Sequence, residues 1–392
     1  MKGITYLTNA TELKFLKENL IDQVIIEPIS LSRLGKLSID EVNALAKDAS
    51  ENGIKTYLEW DILMVEDNFI SSLEEFKKID LTYISALRVQ DPGALLWCLE
   101  NTDLDIHLNL ETGNHNLRGI NSWLDTNRSR ITRIILSIEW SQQQLKDLLP
   151  KVDCEVEFLG MGRILLFYTP RYLLKSGLSE SEAALEMKDT NHWIEASGQS
   201  EESPHKGFPL LENKHGTFMF LPSDHCLLDH HKELTDLGIK HLRIDNRFMD
   251  ESLERVVYQF LKSPLEESFD RIKELSPQRL IRGFFNTNKS DVLFKKLKNH
   301  RIQRIDENYL GQILEVNKKN YLALKLKNPV RHLTCGAKLR LITPDGKEKK
   351  LEVQRLQDCQ GTDLETATGE DLVFINHVGG ISVKAAVYFD EI

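Results

Sequence analysis

The sequence predicts an α/β protein: a (β/α)8, TIM-like barrel followed by a small C-terminal antiparallel β-barrel domain. Three observations lead there. Eight short β-rich runs alternate with helical periods through the first 250 residues. The runs read as buried strands, as a parallel sheet closed by flanking helices requires. From about residue 308 the pattern changes to β-rich segments punctuated by turn signals. An open doubly wound sheet is the alternative. No GxGxxG follows the first run, which weighs against dinucleotide binding. The expected domains are 1–305, with an insertion at about 175–220, and 306–392.

The runs, in order, are ITYL (4–7), QVIIEP (23–28), KTYLEW (55–60), YISALRV (83–89), DIHLNLE (105–111), TRIILSIE (132–139), CEVEFLG (154–160) and KHLRID (240–245). Between the first strands, SIDEVNALAKDASENG is the clearest helix. Apolar residues recur at helical spacing, Ser38 is its N-cap and Gly53 its stop. About 80 residues separate the seventh run from the eighth, with a helix expected near 178–188 and the polar stretch EASGQSEESPHKG at 195–207. An insertion at a strand's C-terminal end belongs over a barrel's active mouth; the alternative is a surface loop. DESLERVVYQFLKSP and LEESFDRIKELS then predict two helices. YLGQILEVNKKNYLALKLKNP, GAKLRLITPDGKEKKLEVQRL and ISVKAAVYF predict the antiparallel tail.

Composition narrows the function. At 392 residues and 41% hydrophobic, the chain can bury a sizeable core. A net charge of −10 excludes a uniformly basic nucleic-acid binder, though not a local basic patch. The five cysteines are scattered, odd in number and form no CxxC, as reduced thiols in a cytoplasm would. The start MKGITYLTNATELKF lacks the apolar core of a signal peptide, and no apolar run approaches the roughly 18 residues of a membrane helix. A soluble cytoplasmic protein with no membrane partner is expected.

The candidate chemistry lies at strand ends. Glu27, Glu59, Asp61, Glu111, Glu139 and Asp245 end predicted strands, where barrel enzymes keep catalytic groups. Clustered carboxylates repel, so one can serve as general acid while its neighbour stays ionised. They could also hold a hard divalent cation, or simply face water. Glu139, Asp245 and Glu157 are the catalytic candidates. Arg163, Arg243, Arg247 and Arg282 are candidates for holding a carboxylate or phosphate, with internal ion pairing as the alternative. Residues 271–304 carry ten Lys/Arg against Glu274 and Asp291, a local net of +8 beside Phe284 and Phe285. That is a candidate RNA surface or a solvated helix face. HExxH and GxSxG are missing, and no cysteine has a protease-like setting.

Taken together, GKLSIDEVNALAKDASENGIKTYLEWDIL (35–63), VQDPGALLWCLENTDLDIHLNLETGNHN (89–116), IILSIEWSQQQLKDLL (134–149), EVEFLGMGRILLFYTPRYLL (155–174), FLPSDHCLLDHHKELTDLGIKHLRIDNR (220–247) and RGFF (282–285) resemble the U32 peptidase family, the "collagenase-like proteases". The resemblance runs along nearly the whole chain. It implies a (β/α) barrel followed by a β-barrel domain. It also implies either a peptidase or a role in hydroxylating RNA bases or quinone precursors. The hydroxylation-type members carry a 4Fe-4S cluster on four cysteines. Here the family's SxRC falls on TPRY, so Tyr172 stands at a ligand position. The cysteine of sxDLC falls on PSDHC, so Cys226 is retained. The middle pair belongs near Ser200, Ser203, Pro204 and His205, where there is no cysteine. Further departures are Asp61 for a family Asn, NLE at 109–111 for STQ, Ile138 beside Glu139 where the family has Arg, and RIDNR for KIEGR.

With three of four cluster ligands absent, no cofactor is expected. A weaker zinc candidate is Cys226 with His230, four apart on the predicted helix DHCLLDHHKEL, with His205 as a third ligand. The alternative is a buried thiol beside surface histidines. The expected function is a cluster-free binding or accessory component of RNA hydroxylation-type modification, partnered by RNA through 271–304 and by a cluster-bearing paralogous subunit. The alternatives are a hydrolase using the barrel-mouth carboxylates, or a non-catalytic interaction protein.

Overall fold

The computed structural model describes residues 1–127, 129–177, 188–189, 193–199, 206–286, 307–328, 330–344 and 347–390. The chain divides into two compact units, Met1–Lys289 and Ser290–Ile392.

The first unit opens with β1 (Lys2–Tyr6), β2 (Gln23–Ile26), β3 (Lys55–Trp60), β4 (Ala86–Val89), β5 (Asp105–Leu110), β6 (Ile131–Leu136) and β7 (Glu155–Thr169). A short strand β8 (Lys188–Asp189) and strands β9 (Ile194–Gln199), β10 (Lys206–Asn213) and β11 (Gly216–Cys226) precede β12 (His241–Ile244). Neighbouring strands from β1 to β7 pair in parallel, in chain order. β12 then pairs in parallel with both β1, Ile4 opposite Arg243, and β7, Leu242 opposite Phe158. Eight parallel strands therefore close into the expected TIM-like barrel.

The strands' outward side chains and the helices around them form one large apolar core. The sequence shows why the helices sit where they do. Ser38 caps the helix Ile39–Glu51 in a reciprocal capping box with Glu41, and Val42, Leu45, Ala46 and Ala49 form its buried stripe. Asp91 caps Pro92–Asn101, with Pro92 in the first turn, where its missing N–H costs nothing. The helices predicted after β12 are Glu251–Lys262 and Glu266–Leu275.

The structure corrects two expectations. β7 does not stop at Gly160. It runs on to Thr169 and pairs antiparallel with β11, Cys226 opposite Met161 and Thr217 opposite Thr169. The helix expected over DHCLLDHHKEL begins only at His231, because Cys226 is still a strand residue and Leu228–His230 form a 3-10 turn. The helix expected at 178–188 lies outside the described residues, apart from Lys188, which belongs to β8.

The second unit is an antiparallel curled sheet of seven strands. Strands β14 (Tyr309–Asn317) and β15 (Tyr321–Leu326) pair as a hairpin. The full order is Glu348–Glu352, Lys338–Ile342, Ala386–Phe389, β14, β15, Leu372–Asn376 and Leu356–Gln357. Its own core includes Leu310, Ile313, Leu322, Leu324, Leu339, Leu341, Val373 and Val387.

Gly160 lies where β7 crosses Leu242: a Cβ there would sit 2.4 Å from the leucine Cγ. Gly160→Ala is therefore expected to destabilise the barrel by about 1–3 kcal/mol, read from urea midpoints at unchanged slope.

Candidate functional site

Barrel interiors are usually filled by branched aliphatic side chains. Here an apolar patch of Ile4, Tyr6, Ile25, Tyr57 and Ala86 shares the interior with charge. Arg88, fully buried, donates two hydrogen bonds to Glu157, Nη1 to Oε2 at 2.7 Å and Nη2 to Oε1 at 3.0 Å. Its Nε donates to Glu59 Oε2 at 2.8 Å. Arg133 approaches the same Glu157 at 3.5 Å and Arg243 at 3.9 Å. Arg243 also donates to Glu111. Burial alone would raise Glu157, but Arg88, Arg243 and Arg133 overcome it and hold the carboxyl at about 2. At Glu59 burial prevails over Arg88, and Asp61 adds to it, so its carboxyl is raised.

Toward the C-terminal mouth, a second tier repeats the motif. Arg33 Nε donates to Asp61 Oδ2 at 2.9 Å, its backbone N–H to Oδ1 at 2.8 Å and its Nη2 to Gln90 at 3.1 Å. Arg247 grips both oxygens of Asp245 at 2.8 and 2.7 Å, reaches Glu27 at 2.7 Å, and lies 3.9 Å over the Tyr6 ring. Against burial, Arg33 lowers Asp61 and Arg247 lowers Asp245. At Glu27 burial outweighs Arg247, and Asp61, Glu59 and Asp245 repel further, so this carboxyl is pushed up to about 8. Neighbouring carboxyls are thus driven apart in proton affinity, the pattern that separates acid from base roles.

The β9–β11 meander covers one side of this tier. Asn213 Nδ2 donates to the Arg33 carbonyl at 2.7 Å, His215 Nε2 lies 2.8 Å from the Ile29 carbonyl, and Lys36 sits 4.3 Å over the Trp193 ring. Leu34, Trp193, Leu211, Phe218 and Phe220 form a buried cluster there. Five such side chains contribute on the order of 10 kcal/mol, so the meander is a fixed cover rather than a flap. Beneath its root, Met161, Gly162, Arg163, Asp224, Asp245 and Phe248 enclose a cavity of about 10 Å³, room for about one water. A larger groove, about 580 Å³, opens at the opposite end of β6 and β7, away from the mouth. Glu139 and His115, 3.5 Å apart, are exposed on the β5–β6 side of the mouth.

The structure brings Asp245, Arg243, Arg247 and Glu157 into one network, with Arg163 beside Asp245. Glu157 lies at its fully buried floor, where it anchors arginines. Arg163 lies 4.0 Å over the Phe248 ring. Glu139 stands outside the network, and so does Arg282, half-exposed and paired with Asp229 at 2.8 Å. Arg33, Arg88 and Arg133 were not anticipated. Arg88 and Arg133 lie inside runs that read as buried on both faces, and that position was the available signal.

This is a (β/α)8 barrel whose interior and mouth are built from arginine–carboxylate pairs. The chain belongs to peptidase family U32, whose family model matches residues 8–301. It is similar to tRNA hydroxylation protein P2 of Bacillus subtilis (strain 168), 22% identical over 64% of this chain and 85% of that protein. It is also similar to tRNA hydroxylation protein P of Haemophilus influenzae, 20% identical over 90% of this chain and 85% of that one. The counterpart of Escherichia coli (strain K12) is 20% identical over 86% and 82%. Among solved structures, the U32 peptidase Mk0906 aligns with a TM-score of 0.35 and 11% identity, over 42% of this chain and 70% of that one.

The residues present do not fit the cluster of the family's hydroxylation-type members. Cys226 pairs with Met161 at the barrel end of the hairpin, whereas Tyr172 lies beyond Thr169 at its far end. Eight residues of extended strand, roughly 25 Å, separate those levels. The two positions that the resemblance assigned to one ligand set therefore cannot share a metal centre. The Tyr172 hydroxyl donates to the Lys214 carbonyl at 2.8 Å, and burial pushes the Cys226 thiol up to about 12. The zinc candidate loses its geometry too, because Cys226 ends a strand and His230 lies in the 3-10 turn. His205 lies outside the described residues. Among the described residues, no group of three or more His, Cys, Asp or Glu could hold a metal ion. None of their helices is long and apolar enough to cross a membrane.

Two outcomes follow from the network. Arg88→Met leaves Glu59 and Glu157 buried without their shared cation and should cost about 3–5 kcal/mol in denaturant titrations. Glu27 binds its proton more tightly folded than unfolded, so it favours the fold below its ordinary 4.5, and that contribution is lost as pH rises toward 8. The stability difference between wild type and Glu27→Gln should therefore change across pH 5–8, by up to about 1.4 kcal/mol per unit, with wild type losing ground as pH rises.

Proposed function

We propose that this chain is a U32-family component of tRNA hydroxylation-type modification that binds the RNA substrate and works beside a cluster-bearing relative, rather than carrying a cluster itself. The observation that carries this reading is the set of relatives. Three proteins named tRNA hydroxylation protein align with 64–90% of the chain and with more than four-fifths of their own length. The separation of Tyr172 from Cys226 supports assigning the redox step to a partner. A cytoplasmic location accords with this role.

The hydrolase reading finds less support. Asp245 has both oxygens engaged by Arg247, and Glu157 is sealed among three arginines, so neither is placed to take a proton from water.

Binding of transcribed tRNA to the purified full chain, followed by fluorescence anisotropy at 50 and 200 mM salt, tests the proposal. Binding that weakens steeply with salt is expected. No binding at either concentration contradicts it.

A further inference from the structure

The basic stretch 271–304 was the sequence's candidate RNA surface, and its described part is largely neutralised. Arg271 pairs with Glu274, Lys273 with Asp270 and Arg282 with Asp229. The far end of the β7–β11 hairpin is different. There Arg171, Lys175 and Lys214 are exposed, and among the described residues none of them makes an ion pair. Between and beside them stand Phe167, 44% exposed, and Tyr172, 47% exposed. A soluble surface rarely groups unpaired cations with exposed rings in a chain of net charge −10 without a polyanionic ligand.

The elbow is also held rigidly. The Glu212 carboxylate, 1% exposed, accepts the backbone N–H of Leu174 at 2.7 Å and of Lys175 at 3.1 Å. Thr217 Oγ1 accepts the Leu173 N–H at 3.0 Å and lies 2.6 Å from the same carboxylate. Gly216, at φ +126°, closes the hairpin where a Cβ would strike the Thr169 carbonyl at 2.0 Å. The Tyr172 ring is fixed by its hydroxyl bond to Lys214 and lies 5.9 Å from the Lys175 ammonium. A buried carboxylate spent on orienting this short turn keeps the cations and rings on the surface in one arrangement.

We infer that this elbow is a single-stranded RNA platform, in which Arg171, Lys175 and Lys214 meet backbone phosphates while Phe167 and Tyr172 offer ring faces to bases. The inference rests on the RNA reading above and adds where the strand lies. Toward Thr169 the second edge of β7 has no partner strand among the described residues, so a protein strand is the competing occupant. The unpaired cations favour the nucleic acid.

The test uses the full chain and a labelled 12-nucleotide RNA alongside transcribed tRNA. Arg171→Glu/Lys175→Glu is expected to weaken binding at least tenfold and to lower the salt slope by roughly 1.5, at about 0.7 per lost phosphate contact. Phe167→Ala is expected to weaken binding about fivefold or more with the slope unchanged. Unaltered melting temperatures show that the fold survives; should the double reversal fail to fold, Arg171→Gln/Lys175→Gln replaces it with half the slope change. If the double variant binds like wild type while Lys295→Glu/Lys296→Glu does not, the platform is overturned and the RNA reading stands. Variants that keep RNA affinity but lose a co-purifying protein overturn it in favour of a protein edge. Wild-type chain that binds no RNA overturns both.

Discussion

The pair on which this structure depends most is the bidentate contact between Arg88 and Glu157, buried at the centre of a closed barrel. Neither group can reach water, so each is tolerable only because the other is present. Glu59, Arg133 and Arg243 are tied to the same point from three other strands. The barrel's interior is therefore a lattice of charge in which strand register and electrostatic balance are one requirement. A slip of one residue in any strand would turn a guanidinium or carboxylate into the apolar helix layer.

That lattice sets what the mouth can offer. Arg33, Arg243 and Arg247 are each held by a carboxylate, so the positive charge lining the mouth is spoken for before any ligand arrives. The meander covers one side with a packed aromatic cluster. What remains accessible is the β5–β6 side, with Glu139 and His115, and the outer hairpin. A scaffold of this kind suits recognition by surface elements on a stiff frame better than chemistry in a deep pocket.

Much of this was readable from residues. All eight barrel strands and the two helices after the last strand were visible, because parallel strands buried on both faces leave apolar runs and the helices leave a 3.6-residue stripe. The curled C-terminal sheet announced itself by alternation and turn residues. Gly160 read as a stop, yet Gly160 and Gly162 lie inside β7, small because Leu242 and Asp245 crowd against them. The leucine and histidine spacing after Cys226 imitated a helix, whereas pairing with Met161 keeps that cysteine in a strand. Strand-end acids were found by position. Their partners were not, since Arg88 meets Glu157 across 69 residues and Arg33 lies in a loop with no periodicity to mark it.

The hairpin decides the functional question. It places the position of Tyr172 and the position of Cys226 at opposite ends of a long antiparallel pair, and so divides what the family's hydroxylation-type members keep together. The central claim is that this chain has no site able to hold an iron–sulfur cluster. The direct measurement is iron and acid-labile sulfide in the full chain purified and kept under anaerobic conditions, after reconstitution with both. Neither is expected in stoichiometric amount. A brown protein that retains a cuboidal cluster's complement of iron and sulfide through gel filtration would contradict it.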